Sequence, residues 1–124
     1  MNPTLVRLNL TAEGEPCDPD PQRILAGEPR QRAFNAFTDA TGGFHCGRWS
    51  SSPGSWRVRY RENELCVMLS GTVVIEGVDG QRQTFTAGDA FVVPAGFEGT
   101  WTVIEPASKI YAIFEPPTSA RTSG

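Results

Sequence analysis

The stretch Glu64-Leu-Cys-Val-Met-Leu-Ser-Gly71 sets a carboxylate at the head of an apolar, strand-forming run. With strand alternation, Glu64, Cys66 and Met68 share one face. If that face turns inward, a carboxyl group sits among apolar side chains. Burial then raises its pKa toward the range of a general acid or base. The competing reading is a structural ion pair with Lys109 or Arg59. Lys109 and Tyr111 share a strand face of their own, so both are candidate catalytic groups beside Glu64. The ammonium would pair with Glu64 or Glu105, or bind a substrate carboxylate. Trp49, Trp56 and Trp101, with Tyr60 and Cys66, are candidates for the wall of a ligand pocket. The plainer role of the indoles is core or dimer-interface bulk. Cys66 has no histidine placed beside it to activate a thiol, so a small buried core residue is its plainer role. His45, the single histidine, shares a face with Gly47 and Trp49. It reads as a surface or hydrogen-bonded histidine rather than a ligand.

Strands must position these groups. Trp56-Arg-Val-Arg-Tyr60 alternates strictly, with Trp56, Val58 and Tyr60 on one face and two arginines on the other. Phe44–Ser50, Leu65–Ser70, Thr72–Glu76, Gln81–Thr86, Ala90–Val93, Thr100–Glu105 and Ile110–Phe114 complete the set, with a loop at Pro106-Ala-Ser108. Turn signals separate them. Asp79-Gly80 is a hairpin signal, and Pro94-Ala-Gly96 calls for glycine at positive φ. Ahead of these, Pro16, Pro19, Pro21 and Pro29 exclude a long helix. A short edge strand is predicted at Leu5–Leu10, an apolar anchor at Ile24–Leu25, and a helical turn or extended arm at Gln31–Thr38. Short strands at this regular spacing predict a sandwich or barrel.

The chain has 124 residues, enough for one domain with a real core. A net charge of -3 without a basic stripe excludes a nucleic-acid partner. No apolar run is long enough to span a bilayer, and the first residues lack the apolar segment of a signal peptide, so a cytoplasmic location is expected. Three widely spaced cysteines without a C-x-x-C argue against a disulfide framework or zinc knuckle.

Glu64, six residues, then Gly71 has the spacing of the first motif of the cupin family. Gly88, Pro94 and Gly96 have that of the second. Trp49, Gly54, Trp56, Asp79-Gly80, Gly88-Asp89, Pro94-Ala-Gly-Phe97, Gly99-Thr-Trp101, Glu105 and Lys109-x-Tyr111 extend the likeness. The chain resembles the small single-domain cupins related to (S)-ureidoglycine aminohydrolase, a group that includes relatives of the ethanolamine-utilisation cupins. The resemblance covers roughly residues 45–114. It implies an all-β double-stranded β-helix, the jelly-roll cupin barrel. The expected organisation is an N-terminal arm at 1–40, one cupin domain at 41–115 and a frayed tail from 116, with a homodimer as the assembly. Metal-binding cupins hold their ion with two histidines of a His-x-His, the glutamate and a further histidine. Here the first pair falls on Val58 and Tyr60 or on Arg57 and Arg59, and the last on Gly99. One carboxylate alone holds no transition metal tightly, so neither metal nor other cofactor is expected. A small-molecule ligand is. Three functions stay open: a metal-independent enzyme on a small polar nitrogen-containing or carboxylate metabolite, a non-catalytic sensing module, and a metal-dependent hydrolase of the aminohydrolase type.

Overall fold

The computed structural model describes residues 2–115. The tail expected from residue 116 lies outside them. Nine strands follow in order: β1 (Glu15–Pro16), β2 (Ile24–Gly27), β3 (Gln31–Thr38), β4 (Phe44–Ser51), β5 (Gly54–Arg59), β6 (Asn63–Gly77), β7 (Arg82–Thr86), β8 (Ala90–Val93) and β9 (Glu98–Phe114). One 3-10 turn, Pro21–Arg23, precedes β2, capped by the Asp20 carboxylate that accepts from the Gln22 amide. Among the described residues no helix is long and apolar enough to cross a membrane.

The sheet runs β1-β3-β4-β9-β5-β2, and β6 pairs with β7, β8 and β9. All pairings are antiparallel. β6 and β9 form the spine and lie against each other along nearly their whole length. The last half of β9, Ala107 to Phe114, pairs with β4 and its first third, Glu98 to Val103, with β5. This curls the sheet into the jelly-roll barrel expected from the sequence.

Two expected breaks are not breaks. Leu65–Ser70 and Thr72–Glu76 form one strand, β6, and Thr100–Glu105 and Ile110–Phe114 form one strand, β9, through the expected loop at Pro106. The residues that suggested ends instead make a bulge. Gly71 has φ +82, and a Cβ there would sit 2.2 Å from the Pro106 carbonyl oxygen. Register shifts crowd between Met68 and Val73. A bulge bends a strand without ending it. It also resets the alternation: Glu64, Cys66 and Met68 are buried before it, Val73 and Ile75 after it.

The N-terminal segment departs further. Leu5–Leu10 is not a strand; Leu5 is 99% exposed, so nothing there fixes an edge. Gln31–Thr38 is fully extended and pairs with β4, while Ile24–Gly27 pairs with β5. Ile24–Gly27 and Gln31–Thr38, which fall in the segment expected as an arm, are strands of the same sheet. The core gathers Trp56, Cys66, Met68, Val73, Ile75, Val93, Trp101, Val103 and Ala107 inside the curl.

Candidate functional site

Strand parity on β6 carries Glu64 inward with Cys66 and Met68. A lone interior carboxylate is costly, so it must find a partner. In the β6–β9 register Met68 faces Lys109 and Cys66 faces Tyr111. From its place opposite Met68, Lys109 reaches diagonally along β6. Its Nζ donates to Glu64 Oε2 at 2.9 Å and to Cys66 Sγ at 3.4 Å. Glu64 is 6% exposed and Lys109 4%, so the pair is a buried one. The indoles of Trp49 and Trp101 lie against the ammonium, their centroids 4.7 and 4.3 Å from Nζ. That is cation–π distance. Arg59 pairs instead with Glu98 at the surface, at 3.1 Å, and Glu105 accepts from the Thr72 hydroxyl.

The charges set the local acidity. Burial works against the Lys109 ammonium, but Glu64 and then Cys66 outweigh it and hold the pKa above the usual lysine value. Burial pushes the Cys66 thiol up to about 12, against the pull of Lys109. It is therefore a neutral thiol at neutral pH and no nucleophile. Burial, followed by the charge of Glu64, lifts the Tyr60 phenol well above its ordinary value. Tyr111 is raised by burial, and its hydroxyl donates to Asn35 Oδ1 at 3.0 Å.

The pair is not sealed. A cavity of about 310 Å³ opens beside it, lined by Trp49, Trp56, Tyr60, Glu64, Trp101, Lys109 and Tyr111, all of them singled out by the sequence. The three indoles form one cluster: Trp56 stacks on Trp101 at 6.1 Å, and Trp49 meets Trp101 edge-on at 5.8 Å. The indole nitrogen of Trp101 is buried and meets no well-formed hydrogen-bond acceptor among the described residues, the Tyr60 hydroxyl being close to it.

Two placements differ from expectation. Cys66 is wholly buried behind the wall, against Lys109 and Glu64, and does not line the cavity. His45 is not a surface residue but part of the lining, its ring edge-on to Tyr111 at 6.2 Å. The strand face it shares with Trp49 was the signal for this. Gln31, Ala33 and Ile113 complete the wall. No pattern in the sequence marked the first two, because their strand joins the barrel only through its pairing with β4.

The donor set does not fit the metal that the resemblance brings to mind. Val58 and Gly99 face each other across β5 and β9, where a Cβ on Gly99 would strike the Glu76 carbonyl oxygen at 2.1 Å. No longer side chain fits that position. Glu64 already binds an ammonium, and among the described residues no group of three or more His, Cys, Asp or Glu gathers.

Comparison with known proteins places this geometry. The EutQ-like cupin domain family matches residues 38–111, more than half of the chain. A protein of unknown function of the DUF861 family from Pseudomonas syringae pv. tomato is 29% identical, with a TM-score of 0.79 over 86% of this chain. The chain spans only 46% of that protein's length. A DUF861 family protein from Thermotoga maritima is 31% identical over 54% of this chain and 76% of its own, with a TM-score of 0.53. The Clostridium difficile EutQ protein shares the fold at 19% identity, with a TM-score of 0.62, covering 70% of this chain and 69% of its own. No curated protein matches the chain.

Proposed function

Because the chain belongs to the EutQ-like cupin domain family, we propose that it is a small-molecule-binding cupin whose barrel cavity takes a small polar metabolite, nitrogen-containing or carboxylate, without the help of a metal. One observation carries this reading: the buried Glu64–Lys109 pair borders an open cavity instead of being packed over. A purely structural pair gains nothing from such an opening, whereas ligand sites are concave, mostly apolar and supplied with a few fixed polar groups. Trp49, Trp56 and Trp101 supply the apolar walls, and Tyr60 and Tyr111 add hydroxyl-bearing rings to the lining.

Within the site, Glu64 is the group that holds or moves a proton on the bound molecule. Lys109 fixes its orientation by a charge-assisted hydrogen bond. Lys109 is itself no base at neutral pH, since its neighbours keep it charged. Tyr111 is tied to Asn35 and so positions the wall.

The test is a thermal-shift and calorimetric panel of small acids, amides, amines and polyols. Hits are repeated on Ala33→Phe, which fills the cavity from β3. Saturable binding of at least one class, lost in Ala33→Phe, supports the reading. It fails if no class binds, or if the hits bind Ala33→Phe equally well.

A further inference from the structure

We propose that the cavity takes a small organic acid, and that Lys109 is the cation built into the barrel to receive it. The inference rests on the pocket reading above and adds the chemical class of the ligand. An amine ligand would seek a carboxylate and aromatic faces. The cavity has both, and the chain's own amine already fills them. Lys109 Nζ lies 2.9 Å from Glu64 and over the faces of Trp49 and Trp101. Among the described residues Glu64 is the one carboxylate in the lining. A second ammonium would find no free anion there and would meet the charge of Lys109 at short range.

Donors are what remain. An ammonium carries three N–H bonds. One goes to Glu64, and one to Cys66 Sγ, a weak acceptor at 3.4 Å. The third has no acceptor among the described residues, and Lys109 lines the cavity, where an oxygen would supply one. The His45 imidazole lines the same cavity and makes no hydrogen bond to any described residue, its ring lying edge-on to that of Tyr111. A carboxylate brings the negative charge and the paired acceptor oxygens that this arrangement lacks. The indole walls then cover an apolar body. A volume of about 310 Å³ keeps that body small.

A bound acid has a competitor, because it shares one ammonium with Glu64. Glu64→Gln should therefore tighten acid binding, since the amide still accepts a hydrogen bond but no longer neutralises Lys109. The double variant Glu64→Gln/Lys109→Met removes both charges and leaves no buried ion unpaired, which keeps it foldable.

The experiment compares matched sets on the full chain: propionate, propionamide, 1-propanol and 1-propylamine, then benzoate, benzamide, benzyl alcohol and benzylamine. Calorimetry gives affinities, and the indole N–H signals of the three tryptophans in 1H–15N spectra report on the cavity. The expected result is that one acid binds at least about tenfold tighter than its amine and alcohol, as a charge-assisted contact warrants. Glu64→Gln should raise that preference, and the double variant should abolish it. Equal binding of the amine or alcohol, an acid preference that survives in the double variant, or indole signals unmoved by either acid overturns the inference. A hit from the wider panel that is an amine or polyol overturns it too, while leaving the pocket reading intact; no hit of any class overturns both.

Discussion

Lys109 decides the character of the site, and its environment dictates two measurable consequences. Removing one partner of a buried ion pair leaves the other charge stranded. Lys109→Met alone should therefore cost about 3–5 kcal/mol in urea unfolding, with much of the loss recovered in the Glu64→Gln/Lys109→Met double variant. The second consequence concerns alkaline pH. Cys66 is raised from 9.0 to about 12, Lys109 is raised from 10.5, and Tyr60 is raised well above 10.0. A group whose folded pKa exceeds its unfolded one keeps its proton longer in the fold. Its contribution is complete below the unfolded pKa and is lost as pH rises through the folded one. Stability should thus fall above pH 9, at roughly 1.4 kcal/mol per pH unit for each group inside its window. Cys66→Ala should reduce the loss between pH 9 and 10, leaving there the contribution of Cys17, also raised from 9.0 by burial, before the unfolded Tyr60 and Lys109 begin to titrate. Urea midpoints measured from pH 7 to 11 check both points; a midpoint flat across that range contradicts them.

At the scale of elements, two glycines with similar backbone angles should respond differently. Gly71 and Gly96 both have positive φ, +82 and +94. An added Cβ on Gly96 meets nothing within 4 Å, whereas on Gly71 it meets the backbone of Pro106 and Ala107. Gly96→Val should cost about 1–3 kcal/mol, the range of backbone strain. Gly71→Ala should cost more than Gly96→Ala, since strain is joined by a clash that only movement of β9 relieves. The ordering of the two alanine variants is the check. Equal losses would mean that the bulge between β6 and β9 is soft. The bulge matters to the site because it lets one strand carry Glu64 inward at its start and Val73 and Ile75 inward after it.

For the whole molecule, the strands reach further back than the family match. The match begins at residue 38, but β3 pairs with β4 from Gln31 to Thr38 and supplies Gln31 and Ala33 to the cavity and Asn35 to Tyr111. A chain shortened to begin at residue 39 would expose the edge of β4 and open the cavity to solvent. Unpaired strand edges recruit other chains. The expected outcome is loss of a cooperative melt, or aggregation, read by circular dichroism and light scattering. A shortened chain that melts cooperatively at the parent temperature would show that the segment only drapes over the barrel.

What the sequence determined is local. Alternation placed Glu64, Cys66 and Met68 on one face and Trp56, Val58 and Tyr60 on another, because a strand's side chains repeat every two residues. Gly and Pro marked the corners, since they alone tolerate or enforce the turn geometry. Together these made the barrel and most of the cavity wall legible. What the tertiary structure decided is pairing. Glu64 meets Lys109, 45 positions away, and not Arg59. That choice follows from the register of β6 on β9, which the bulge at Gly71 shifts and no local pattern encodes. His45, Gln31 and Ala33 join the wall for the same reason. Strand alternation says which residues share a face, but only the order of strands around the barrel says what that face looks upon.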